Sequence, residues 1–286
     1  MPASPDPRVS AEVVRLVREA HLEVIPLRGA DEKVRVVPPG ATLTITCSPK
    51  LGLDRTLEHA ASALDAGYDV IPHLAARQVT DRAHLQQFVQ QCDALGVTTL
   101  YVVGGDGDPV GAYSEADQIL RELRGFDHGI RRLGVGCYPE GHPKISDDQL
   151  LEALLRKQEL ADYMVSQLCF DAATNVEWLR SMRAAGVRLP LRIGLAAPLK
   201  VTKLVELSLK IGVGSSVRFL SKQQGFVSNI LLGRAYEPER LLLDMGDALL
   251  DESLGVEGVH LFTFNQIDAS VDWQAALAAT FQSATA

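Results

Sequence analysis

Eight short apolar runs rich in β-branched residues recur along the chain, and segments of helical length separate most of them. The runs are HLEVIPL (21–27), TLTITCS (42–48), DVIPHLAA (69–76), TLYVVGG (99–105), RLGVGCYP (132–139), YMVSQLCFD (163–171), LRIGLAA (191–197) and VHLFTFN (259–265). Between them, DRTLEHAASALDAG places Leu57, Ala60, Ala61 and Leu64 on one helical face and ends at Gly67. DRAHLQQFVQQCDALG and SDDQLLEALLRKQELAD follow the same pattern, and TNVEWLRSMRAAG runs from a threonine cap at Thr174 to Gly186. Strands alternating with helices predict a parallel sheet with its helices outside. Eight such units in 286 residues fit a closed (β/α)8 TIM barrel, an α/β fold. A doubly wound open sheet requires a dinucleotide fingerprint after the first strand, and HLEVIPLRGADEK contains none. The stretch from Lys200 to about Leu250 exceeds one crossover helix and predicts extra helices between strands 7 and 8.

No linker, repeat or low-complexity tract interrupts the chain, so residues 1–286 read as a single catalytic barrel. Residues 1–8, with three prolines, read as a flexible tail, and Ser10 reads as the cap of the first helix. The net charge of −8 and the absence of a basic stripe argue against nucleic acid. No apolar stretch approaches the ~20 residues of a membrane span. Cys47, Cys92, Cys137 and Cys169 are widely spaced, show no metal signature and suit a reduced, cytoplasmic protein.

Catalysis in such barrels occurs at the carboxyl ends of the strands. In strand order these ends carry Glu23 and Pro26, Thr46, His73, Asp106, then Tyr138, Glu140 and His142, then Gln167 and Asp171, and finally Asn265. Glu23 and Gln167 are the clearest anomalies, because a polar side chain within an apolar strand is unfavourable unless bonded. The fourth end, YVVGGDGDPVGAY, is no dinucleotide loop, since Val110 stands where the third glycine belongs. It is no P-loop either, because no Gly-Lys-Ser/Thr follows. Asp106 and Asp108 supply too few carboxylates for a calcium loop. Two readings remain open for Asp106 and its glycines: a plain turn, or a surface against which a flat ring can lie.

These segments, in this order, resemble the methylenetetrahydrofolate reductase family from about Leu22 to about Trp273. LEVIP resembles the segment bearing the family's acidic proton donor, which implies that role for Glu23. TITCS, IPHLAAR and GCYPEGHP are similar to flavin-contacting segments and imply Thr46, His73, Tyr138 and His142 as contacts. VVGGD sits where the family usually has Leu-Arg-Gly-Asp, placing Gly104, Gly105 and Asp106 against cofactor and substrate. LLRKQELADYMVSQLCFD implies Arg156 and Lys157 at the flavin diphosphate and Gln167 on folate. LFTFN implies Asn265 and VRFLSK implies Phe219 as substrate contacts. The chain departs from the pattern at Gly104 and Gln266, where arginines are expected. It departs again at Leu150, Leu151 and Ala153, where adenosine-side polar residues are expected.

The resemblance implies reduction of 5,10-methylenetetrahydrofolate to 5-methyltetrahydrofolate, with hydride from NADH or NADPH passing through FAD in ping-pong turnover. Glu23 would be the general acid, its burial favouring the protonated form. Asp106 would stabilise the cationic intermediate and hydrogen-bond the pterin. No metal is implied. The length leaves no room for the adenosylmethionine-binding regulatory domain of larger relatives, and the surface helices allow a homo-oligomer. Two alternatives stand beside this reading. One is direct hydride transfer without flavin, and the other is a non-redox folate-binding barrel serving methyl transfer.

Overall fold

The computed structural model describes residues 6–211 and 236–284. Eight parallel strands close into a barrel in sequence order. They are β1 (His21–Val24), β2 (Thr42–Ile45), β3 (Asp69–Ala75), β4 (Thr99–Val103), β5 (Arg132–Cys137), β6 (Tyr163–Ser166), β7 (Leu191–Ala196) and β8 (Val256–Phe262). Ten described α-helices accompany them: α1 (Pro7–Arg18), α2 (Ala30–Lys33), α3 (Gly52–Asp65), α4 (Arg82–Ala94), α5 (Ala116–Leu123), α6 (Asp147–Lys157), α7 (Ala172–Ala184), α8 (Val201–Ile211), α9 (Pro238–Met245) and α10 (Ile267–Ala284). The expected extra helices between strands 7 and 8 are present as α8 and α9. The additional helix α1 precedes the barrel and packs on α9 and α10.

Side chains alternate across each strand. Leu22, Val24, Leu43, Ile45, Leu100, Val102, Val259 and Leu261 point outward into the core beneath the helices, each at most 2% exposed. Full burial of one such side chain contributes about 1.5–3 kcal/mol. The intervening positions, among them Glu23, Thr44, His73, Tyr101 and His260, turn into the barrel. The strands are shorter than the apolar runs because the polar ends of those runs leave the ladder. Ile25–Leu27, Thr46–Ser48, Gly104–Gly105, Gln167–Asp171 and Thr263–Asn265 thereby form the carboxyl face.

Two expected caps fall elsewhere. Asp6 caps α1, accepting from the Arg8 N–H at 2.8 Å, and Pro7 occupies the first helical position. Proline loses nothing there, since that N–H has no helical partner. Pro7 and Arg8 therefore belong to the helix and not to the tail, and Ser10 is buried inside it. Asp171 caps α7, accepting from the Ala173 N–H at 3.0 Å and from the Thr174 hydroxyl at 2.8 Å. Asp171, expected among the polar strand ends, is thus a cap.

Gly194 permits the closest approach in the barrel wall. A Cβ there would stand 2.0 Å from the Ser166 carbonyl oxygen and 2.8 Å from the Phe262 ring. Backbone cannot yield as a flexible side chain does, so Gly194→Ala is expected to destabilise the protein by at least about 1–3 kcal/mol. A lowered urea midpoint with unchanged slope would register this.

Two interior histidines make stability pH-dependent. Burial, with Arg192 next, pushes His21 down to about 2, and burial, with His260 next, holds His73 well below its ordinary value. Both are neutral in the folded state and take up protons on unfolding below their ordinary value of 6.5. The unfolded state then binds more protons, so stability is lost as pH falls below that value. Two protons correspond to about 2.7 kcal/mol per pH unit. Urea unfolding between pH ~6 and ~5, above the ordinary carboxylate range, is expected to show most of that slope.

Candidate active site

Glu23 lies in β1 between Leu22 and Val24, 8% exposed, with its side chain inside the barrel. Its Oε2 is 3.1 Å from Nε2 of His260 on β8, and its carbonyl accepts a hydrogen bond from the Thr263 hydroxyl. His73 on β3 completes a buried cluster. Its ring lies 4.7 Å from that of Tyr101 and 6.1 Å from that of His260. Among the described residues, His73 Nε2 and Thr44 Oγ1 are buried without hydrogen-bond partners. One ligand atom each from Glu23, His73 and His260 lies within 4.8 Å of the others. His260 was not singled out from the sequence, although it stands between Val259 and Leu261 as Glu23 stands between Leu22 and Val24.

The loop after β4 forms one side of the rim. Gly105 has φ of 90°, and a Cβ on it would lie 2.8 Å from that of Ala75, so a side chain is excluded on both counts. Asp106 follows it and is exposed. Arg77, also unremarked in the sequence, ties this loop to the end of β3. Its backbone N–H donates to Gly104 O (3.0 Å), its Nη1 to Gly107 O (3.1 Å) and its Nε to Ser114 O (3.2 Å). Across the rim the Tyr138 and His142 rings meet edge to face at 5.2 Å. Burial raises the Tyr138 phenol, which stays protonated. Burial, then Lys144 and Arg77, lower His142.

The remaining expected site residues are disposed as follows. Thr46 is half-buried, its N–H donating to Val24 O and its carbonyl accepting from Thr56. Gln167 lies just past β6, and its Oε1 accepts from the Leu168 N–H at 2.8 Å. Asn265 is committed to backbone: its Oδ1 accepts from the Ile25 N–H at 2.8 Å and its Nδ2 donates to Ile25 O at 2.9 Å. It fixes the chain two residues beyond Glu23. Phe219 lies outside the described residues.

Arg156 and Lys157 end α6, where the resemblance places a flavin diphosphate. Arg156 stands 3.7 Å from Asp117 and 3.9 Å from Glu115. Lys157 Nζ donates to Gly136 O at 3.4 Å, and burial pushes its ammonium down. Arg121 also pairs with Asp117, at 2.8 Å, so Arg156 shares that carboxylate, and Lys157 is spent on a backbone carbonyl. The preceding turn is apolar at Leu150, Leu151 and Ala153. The adenosine side expected of a flavin site is thus apolar at these three positions, and both cations of α6 are engaged by protein groups.

The fold and site define a (β/α)8 barrel with a buried acid–imidazole pair below a glycine-lined rim that carries a carboxylate. The family model for methylenetetrahydrofolate reductase matches residues 35–274, and the chain belongs to that family. It is similar to a probable methylenetetrahydrofolate reductase (NADPH) of Caenorhabditis elegans, 24% identical over 72% of this chain and 32% of the relative. It is likewise similar to methylenetetrahydrofolate reductase 2 of Saccharomyces cerevisiae, 24% identical over 54% of this chain and 26% of the relative. The chain thus spans about a third or less of these curated relatives. Among solved structures, an uncharacterized Clostridium thermocellum protein that binds two copies of 5-methyl-5,6,7,8-tetrahydrofolic acid shares the fold. Its TM-score is 0.62 at 11% identity, covering 95% of this chain and 99% of that one. No described helix is long and apolar enough to cross a membrane.

Proposed function

We propose that the chain reduces 5,10-methylenetetrahydrofolate to 5-methyltetrahydrofolate with hydride delivered directly from NADH or NADPH. The observation that carries the reading is Glu23, a carboxyl held inside the barrel by His260 in a chain of this family. The folate-binding Clostridium protein supports a folate on this architecture.

The chemistry needs a proton and a hydride. Glu23 gives its proton to the departing ring nitrogen (N10). The bond from that nitrogen to the methylene carbon breaks, leaving an iminium cation on N5. Hydride from the nicotinamide ring then adds to the methylene carbon, forming the methyl group and NAD(P)+. Asp106, on the rim, stabilises the cation electrostatically and bonds the pterin edge. Tyr138 and His142, set edge to face, give the rim aromatic surface for the rings. Gln167, with a donor and an acceptor, suits the pterin amide.

The resemblance implied FAD between nicotinamide and folate. The engagement of Arg156 by Asp117 and Glu115, and of Lys157 by Gly136 O, favours the flavin-free route. The purified protein is therefore expected to show no flavin bands in its visible absorbance and to release no FAD on denaturation. Stoichiometric FAD would return the hydride path to the flavin. Folate binding without any NAD(P)H oxidation would instead indicate a non-redox binding barrel.

A further inference from the structure

We propose that His260 is the positioning residue of the proton donor: it holds Glu23 by Oε2, so that the transferable proton resides on Oε1. This inference rests on the reductase reading for its consequence, and on the geometry of the pair for its premise.

Glu23 Oε2 and His260 Nε2 are 3.1 Å apart, and the side chains are 11% and 2% exposed. Among the described residues, Glu23 Oε1 and His260 Nδ1 have no hydrogen-bond partner. Which imidazole nitrogen bears the proton follows from that asymmetry. A proton on Nδ1 alone would have no protein acceptor among the described residues and would leave Nε2, the nitrogen facing Glu23, without a proton. On Nε2 it faces a carboxyl oxygen. Whether neutral or charged, the ring then donates to Oε2, and that oxygen is an acceptor. The proton of the carboxyl must therefore sit on Oε1, the oxygen left free for substrate.

The surroundings single out His260 for this role. The groups near the pair are His21 on β1, Thr44 on β2, Cys47 beyond β2, His73 on β3 and Tyr101 on β4, with Arg192 on β7 turned to Glu257. Burial keeps His21 and His73 neutral, raises the Tyr101 phenol and pushes the Cys47 thiol up to about 12. Arg192 is paired with Glu257 at 3.4 Å. None of these donates to Glu23. Tyr101 and Phe262 pack on the His260 ring, with centroids at 5.9 and 4.8 Å, and fix its plane. In turnover the Oε1–H bond breaks as the folate N–H bond forms. Glu23 is left a carboxylate still held at Oε2, and water returns the proton to Oε1 after product leaves.

The test has two arms on the full chain. In 15N-histidine NMR, the resonance lost in His260→Gln identifies the ring. It is expected to show Nε2 protonated and to shift on Glu23→Gln. Protonation on Nδ1 alone, or no response to Glu23→Gln, overturns the proposal whether or not the chain reduces folate. In rapid-mixing assays of methyltetrahydrofolate formation, His260→Gln is expected to lower the rate about 10²-fold through misplacement of the acid, with binding of 5-methyltetrahydrofolate kept within about twofold. In a Glu23→Gln background the same substitution is expected to have almost no further effect. Effects that multiply across the double mutant would assign His260 a merely structural part and overturn the proposal. A wild type that forms no methyltetrahydrofolate refutes the reductase reading, and the NMR arm still decides the pair.

Discussion

Glu23→Gln is expected to slow methyltetrahydrofolate formation by about 10²–10⁴-fold, the range of a single general acid. Glutamine keeps the size of the side chain and a hydrogen-bonding partner for His260 at 3.1 Å, so the barrel is expected to stay folded. What disappears is the proton that opens the five-membered ring. Binding of 5-methyltetrahydrofolate, whose ring is already open, is expected to persist, and titration of that ligand against both proteins checks it. Equal losses of binding and rate would move Glu23 from acid to mere contact.

Asp106→Asn is expected to lower the same rate by about 10²–10³-fold, as loss of one preorganised electrostatic partner does in other enzymes. The substitution preserves shape on a loop that Arg77 fastens at three carbonyls, so its effect reports charge. The loss belongs in the chemical step, where cation develops, more than in ground-state binding. Single-turnover rates at saturating folate separate the two. An unchanged rate would leave Asp106 as part of a plain turn.

The barrel was legible because each buried strand is a short β-branched run with a helical segment behind it. The runs overstated strand length, since their polar ends leave the ladder to build the carboxyl face. Asp6 and Pro7 were hidden as a cap because three prolines look like a tail. Glu23 was legible as a polar residue in an apolar strand. His260 carries the same signal on β8, but its motif ends in Asn265, a more conspicuous polar residue whose amide is committed to Ile25. The engagement of Arg156 was not legible. It depends on α5 lying against α6, which brings Glu115 and Asp117 to a helix remote from them in sequence.

The central claim is that hydride passes from nicotinamide to folate on this chain without an intermediary. Nicotinamide cofactor deuterated at the transferable C4 position, incubated with methylenetetrahydrofolate in ordinary water, tests it directly. The account predicts one 5-methyltetrahydrofolate per cofactor oxidised, with deuterium retained in its methyl group. Methyltetrahydrofolate without label, its hydrogen having exchanged with water on a carrier, or no methyltetrahydrofolate at all, would contradict it.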